Sequence, residues 1–216
     1  MPFDKQLQQA VLAELDWEPS VLAGHIGVTA NDGVVTLSGH VESFAEKHAA
    51  ETAAGRVRGV KAVAEEINVE LPFERIRGDD DIAAAAIERL SWDTSVPRDA
   101  ITVKVEQGWV TLTGQVSWYY QKAAAEQAIA RLHGVSGISN QIILRPAVDV
   151  SDISDKIRNA LRRSWLPDDE TVMVRADGGR IHLSGAVRSP HDRQIAGATA
   201  WAAPGAISVE NDIAII

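Results

Sequence analysis

The sequence predicts an α+β protein built from three tandem αββαβ domains, each a three-stranded sheet covered on one face by two helices. Three observations carry that prediction. One phrase recurs as Val35-Thr36-Leu37-Ser38-Gly39-His40-Val41, Val110-Thr111-Leu112-Thr113-Gly114-Gln115-Val116 and Ile181-His182-Leu183-Ser184-Gly185-Ala186-Val187. Aligned on Gly39, Gly114 and Gly185, the copies run without a gap for 61 residues. Within that window the apolar spacing changes from helical to alternating and back, which marks a repeated structural unit.

Each element follows from its own pattern. Leu7, Val11 and Leu15 stand four apart, and so do Ile82, Ala86 and Leu90, and Ile153, Ile157 and Leu161. That spacing makes an apolar stripe on a first helix. Ile26 and Val28 alternate before Asn31-Asp32-Gly33, and Val35, Leu37 and Val41 alternate after it. Asx-Gly between alternating runs predicts a hairpin. Ser43 with Glu46 forms a capping-box pattern, and Ser189-Pro190-His191-Asp192 places proline at a first helical position. Ser117-Trp118-Tyr119-Tyr120 interrupts this start signal in the second copy.

The second helix is alanine-rich (Ala45, Ala49, Ala50, Ala53, Ala54), which permits close approach to a sheet. It stops near Gly59, Gly134 or Gly205. A last strand carries Val60, Val63 and Ile67, with counterparts Val135, Ile138 and Ile142, and Ala206, Val209 and Ile213. The nine repeated glycines are expected to be structural: Gly33, Gly108 and Gly179 in turns, Gly59, Gly134 and Gly205 at helix stops. Gly39, Gly114 and Gly185 are expected where a neighbouring element comes close to the strand. Domains are expected at 1–72, 79–147 and 148–216, with Pro72, Gly78 and Pro146 at the joints.

The net charge of −9 is uneven: residues 1–72 carry −6, and residues 79–147 and 148–216 carry −2 each. An acidic chain is repelled by nucleic acid and by anionic membranes, so nucleic acid is not an expected partner. No apolar run reaches the roughly 18–20 residues of a membrane span. The start Met1-Pro2-Phe3-Asp4-Lys5-Gln6 has no secretory pattern, so the expected location is cytoplasmic, or periplasmic if the chain is trimmed. There is no cysteine, hence no disulfide or thiolate chemistry.

The Val-Thr-Leu-Ser-Gly phrase, the glycine six residues before it and the endings Gly59-Val60 and Gly134-Val135 resemble the BON family, named for bacterial OsmY and nodulation proteins. The stretch Leu15-Asp16-Trp17-Glu18-Pro19-Ser20 is similar to a subgroup of soluble bacterial proteins with three such domains. The third copy departs from the ending, with Gly205-Ala206-Ile207. The resemblance implies a non-catalytic module of osmotic and other stress responses, acting on phospholipid or in a chaperone-like way. It also includes a cytoplasmic potassium-binding relative, in which a LysM segment follows the BON domain; no such segment is recognisable here.

The search for chemistry turns up little. There is no phosphate-loop motif. His25, His40, His48, His133, His182 and His191 mostly differ in repeat position, and no metal or cofactor is expected. Glu65-Glu66, Asp79-Asp80-Asp81 and Asp168-Asp169-Glu170 read as solvated charge, so no enzyme is expected. Trp17 and Trp92 share one register, with Trp165 two places later, and read first as plugs closing the first helix against the sheet and otherwise as aromatic anchors for a ligand or partner.

The candidate contact residues are departures from the repeat. Trp118, Tyr119 and Tyr120 cannot all face inward at a helix start, which points to a partner or interdomain contact. Arg158, Arg162 and Arg163 form the basic cluster of the third copy, a candidate anion or lipid-headgroup contact; Asp152 and Asp155 precede it and offer ion pairs instead. The expected function is a stress-protective binding protein that engages phospholipid or a polypeptide, unfolded or folded, through exposed helix faces. The alternative is an ion or small-ligand sensor.

Overall fold

A computed structural model of the chain describes residues 2–145, 152–163, 172–187 and 190–216. The first copy comprises α1 (Pro2–Trp17), β1 (Ile26–Asn31), β2 (Val34–Val41), α2 (Phe44–Arg56) and β3 (Ala62–Val69). The second comprises α3 (Asp79–Trp92), β4 (Ile101–Glu106), β5 (Trp109–Val116), α4 (Tyr119–Ala130), β6 (Gly137–Asn140) and β7 (Ile143–Leu144). The third comprises α5 (Ile153–Arg163), β8 (Val172–Asp177), β9 (Arg180–Val187), α6 (Pro190–Trp201) and β10 (Ser208–Ile215). The fold is thus three α+β repeats. By density of contacts the chain groups into two compact units, Met1–Arg89 with Val103–Thr111 and Ala128–Ser139, and Leu90–Thr102 with Leu112–Gln127 and Asn140–Ile216.

Connectivity dictates the strand directions. A tight turn joins β1 to β2, so they pair antiparallel, with Ile26 opposite Gly39. A helix separates β2 from β3, and such a crossover returns the chain parallel, with Val35 beside Val63. The third copy repeats this order, β8 antiparallel and β10 parallel to the central β9. In the second copy the last strand is interrupted. Ile142 falls between β6 and β7, yet it remains buried, and the Gln141 amide still donates to Leu112 O at 2.8 Å.

The helical stripes become the core. Leu7, Val11 and Leu15 pack with Val35, Leu37, Ala50, Ala53, Ala54 and Ile67, and Ile153, Ile157 and Leu161 do the same with Ile181, Leu183, Ala196, Ala200 and Ile213. Alanines on the sheet-facing side of the second helix bring its backbone close to the strands, where larger side chains would hold it off.

Gly39, Gly114 and Gly185 have φ of +120°, +139° and +123°, which side-chain-bearing residues rarely adopt. A Cβ at Gly39 would overlap the carbonyl oxygen of His25, and one at Gly114 that of Ala100. The edge strand enters beside a bare backbone. The other six repeated glycines also have positive φ.

A clasp not visible in the pattern recurs in all three copies. Lys47 Nζ donates to Ile67 O (2.8 Å), Lys122 Nζ to Ile142 O (2.8 Å), and Arg193 to Asn211 O (2.7 Å). Each cation ties the second helix to the last strand. A facing residue completes the clasp: Glu65 pairs with Lys47 at 3.2 Å, and the Asn140 and Asn211 amides donate to Lys122 O and Arg193 O.

Two helix starts differ from expectation. The Glu46 amide donates to Ser43 Oγ (3.2 Å), but the Glu46 carboxylate accepts from Leu22 N (2.8 Å) and Glu42 N (3.1 Å), not from Ser43. Glu46 is buried, so its carboxylate pins the loop before β1 as well as the helix start. In the second copy the start signal is kept by Gln121, whose Oε1 accepts from Ser117 N and Trp118 N at 3.1 Å. The amide side chain holds the helix start, as the carboxylate does one copy earlier, but makes no bond to the loop before the first strand. Ser189 lies outside the described residues, while α6 does begin at Pro190.

The acidic run at the start of α3 also has a structural task. Asp79 accepts from Gln107 N (2.8 Å) and Gly108 N (2.9 Å), and Asp4 accepts from Asp32 N (3.0 Å) at the same place in the first copy. These carboxylates satisfy the amides of the hairpin turn, so Asp79 is more than solvated charge. Asp168-Asp169-Glu170 lies outside the described residues.

Candidate functional site

Trp17 and Trp92 are the main correction. Both are the last residues of their helices and are 81% and 78% exposed, so neither plugs the core. Helical geometry explains this. Leu15 and Leu90 point inward, and two residues on, at about 100° per residue, the side chain has turned roughly 200° away. The stripe through positions 7, 11 and 15 already contains that result. The corresponding place in the third copy holds Arg163, which is exposed at the end of α5, whereas Trp165 lies outside the described residues.

The end of α1 is braced beside its tryptophan. Arg56 of α2 donates to Glu14 (3.1 Å) and Glu18 (2.9 Å). The hydrogen bond from Arg56 holds the Glu18 carboxyl below the usual carboxylate range. Trp17 therefore projects from a fixed helix end.

The aromatic triplet divides its labour. Tyr119 is half-buried and stacks on Trp201 of α6, ring centroids 4.2 Å apart and planes 15° from parallel. Burial first, and the Glu126 charge second, raise its hydroxyl above the ordinary tyrosine value. Trp118 and Tyr120 remain exposed, 6.4 Å apart between centroids. Replacing Tyr119 with alanine is expected to cost about 1–2 kcal/mol, the worth of an aromatic pair and some buried area. Urea denaturation of the full chain measures it.

The basic cluster is partly committed. Arg158 bonds Asp155 at 2.7 Å in an i, i+3 pair, Arg162 also has partners, and Arg162 and Arg163 lie in the exposed last turn of α5. Among the histidines, His25 and His40 stack with centroids 4.7 Å apart, and His182 Nε2 lies 2.9 Å from Asp212 Oδ2. In the first compact unit a shallow cleft of about 400 Å³ is lined by Arg77, Asp81, Ile82, Ala85, Leu132 and His133. Phe3 lies over Gly59 in the first copy; the second copy has Gly78 at the corresponding place.

Glu46 is the one buried charged side chain among the described residues, and both its oxygens accept backbone bonds. Repeated small sheets backed by helices, with aromatic side chains at the helix ends, define a tandem α+β repeat protein. The chain belongs to the BON domain family: that family's model matches residues 3–70, 78–146 and 149–216. It is 29% identical over 143 residues to osmotically-inducible protein Y of Escherichia coli (strain K12), covering 64% of this chain and 71% of that protein. Among solved structures, the C-terminal domain of CdsD, a structural protein of the type III secretion system of Chlamydia trachomatis, matches at 17% identity over 97% of both chains, with a TM-score of 0.27. Among the described residues no helix is long and apolar enough to cross a membrane.

Proposed function

We propose that the chain is a non-catalytic, stress-protective binding protein of the BON type, which holds partly unfolded polypeptides against solvent-facing aromatic side chains. The observation that carries this reading is the pair Trp17 and Trp92, large apolar side chains left in water at one register of two copies. Exposed tryptophans contribute nothing to a core, and such anchors dominate binding energy when a partner desolvates them. Trp118 and Tyr120 add to the same kind of surface. The similarity to an osmotically inducible protein supports a protective role under stress.

Polypeptide is favoured over anionic phospholipid by charge. A chain at −9 is repelled by an anionic bilayer, and Arg158 is already paired with Asp155. The test is suppression of thermal aggregation of a client enzyme, run beside co-sedimentation with anionic and zwitterionic vesicles. Trp17→Ala with Trp92→Ala is expected to raise the concentration needed for protection by about tenfold or more, the effect of losing hot-spot aromatics. Its stability should move by less than about 0.5 kcal/mol, as for exposed substitutions. Full protection by the double variant, or binding to vesicles alone, would overturn the reading.

A further inference from the structure

We infer that the outer face of the third sheet carries a site for a divalent transition ion, formed by His182, Glu210 and Asp212. One ligand atom from each lies within 4.8 Å of the others. His182 sits on β9 and is the register partner of Glu210 on β10. Asp212, two residues along β10, returns to the same side because strand side chains alternate. Ile181, Leu183 and Ile213 point into the core, which leaves these three on the face away from the helices. His182 and Asp212 are hydrogen-bonded at 2.9 Å, so an ion would take the place of that bond and open the pair to the roughly 3.3 Å between two ligands of one tetrahedral ion at bond lengths of about 2.0–2.2 Å.

An imidazole with two carboxylates suits zinc and its neighbours over magnesium or calcium, which prefer oxygen alone. Three protein ligands leave a fourth position for solvent. The scaffold is two paired strands, which hold ligand positions better than loops do. Arg175 stands beside His182 on β8, so one fixed cation faces the ion and lowers the affinity. The set is particular to the third copy: the first has Thr36, Ala64 and Glu66 in those places, and the second Thr111, Ser139 and Gln141. Its sequence separation hides it, since His182 stands 28 residues from Glu210 and meets it only through parallel pairing. This inference goes beyond client binding and stands or falls separately from it.

The experiment is calorimetric titration of the untagged full chain with zinc chloride, repeated with magnesium chloride, and cobalt substitution read by its visible spectrum. One equivalent of zinc is expected, with a tetrahedral cobalt signature. His182→Thr restores the residue that the other two copies carry, so the sheet is preserved. It should raise the zinc Kd by more than about tenfold, because even residues that only hydrogen-bond to a metal ligand are worth about 10- to 100-fold. Asp212→Asn should act in the same direction, and the pair His25→Ala with His40→Ala should leave binding unchanged. Absence of saturable zinc binding, equal binding of magnesium, or binding that follows His25 and His40 would overturn the site.

Discussion

Gly114→Ala is expected to destabilise the second repeat severely, and Gly39→Ala the first. Two costs coincide at these positions. A φ of +139° or +120° is strained for any residue with a side chain, and the added Cβ would meet the carbonyl oxygen of Ala100 or His25. Strain of about 1–3 kcal/mol and overpacking of about 1–3 kcal/mol sum to roughly 2–6 kcal/mol. A repeat of about 70 residues has only roughly 4–10 kcal/mol of stability to lose. Gly55→Ala is the contrasting substitution. That glycine lies within α2 with open space around it, so alanine should stabilise by about 0.5–1 kcal/mol. Urea titration of the three single variants, followed by circular dichroism, gives the order. If Gly114→Ala melted like the parent chain, the close approach of Ala100 would be wrong.

The second large effect is expected at Glu46. Its carboxylate serves Leu22 N and Glu42 N together, so Glu46→Ala strands two partly buried amides. At about 1–3 kcal/mol for each unsatisfied group, a loss of roughly 2–6 kcal/mol follows. Glu46→Gln should cost about 1–3 kcal/mol, because its amide offers one acceptor oxygen where the carboxylate uses two, so one of the two backbone amides loses its partner. The second copy manages with Gln121 because both of its partners, Ser117 N and Trp118 N, lie at the helix start, and Pro97 in the place of Leu22 has no amide hydrogen to satisfy. Equal losses for the two variants would mean that charge, not acceptance of hydrogen bonds, is what the position requires.

Much of the fold was legible because the repeats restate it three times. The stripes at Leu7, Val11 and Leu15 and their counterparts are buried as the spacing predicts, and the glycine register marks the strained positions. Contacts between residues distant in sequence were not legible. Lys47 reaches Ile67, Asp79 reaches Gln107, and Glu46 reaches Leu22 through tertiary geometry that no local pattern encodes. Trp17 and Trp92 were misread for another reason. Their shared register suggests burial, although the phase of the helix turns them outward. The acidic run at Asp79 was misjudged in the opposite direction, since a solvated charge and a turn acceptor look alike in sequence.

The copies share a core and differ on their surfaces. Two present tryptophan at the end of the first helix, whereas the third presents Arg163 and, on its outer sheet face, His182 with Glu210 and Asp212. Hydrogen–deuterium exchange of the full chain, with and without an unfolded client, tests the binding account most directly. Slower exchange is expected in the segments around Trp17 and Trp92 and around Trp118 and Tyr120, with the outer face of β9 and β10 unchanged. Client-dependent protection confined to other segments, with the helix ends around Trp17 and Trp92 unaffected, would contradict it.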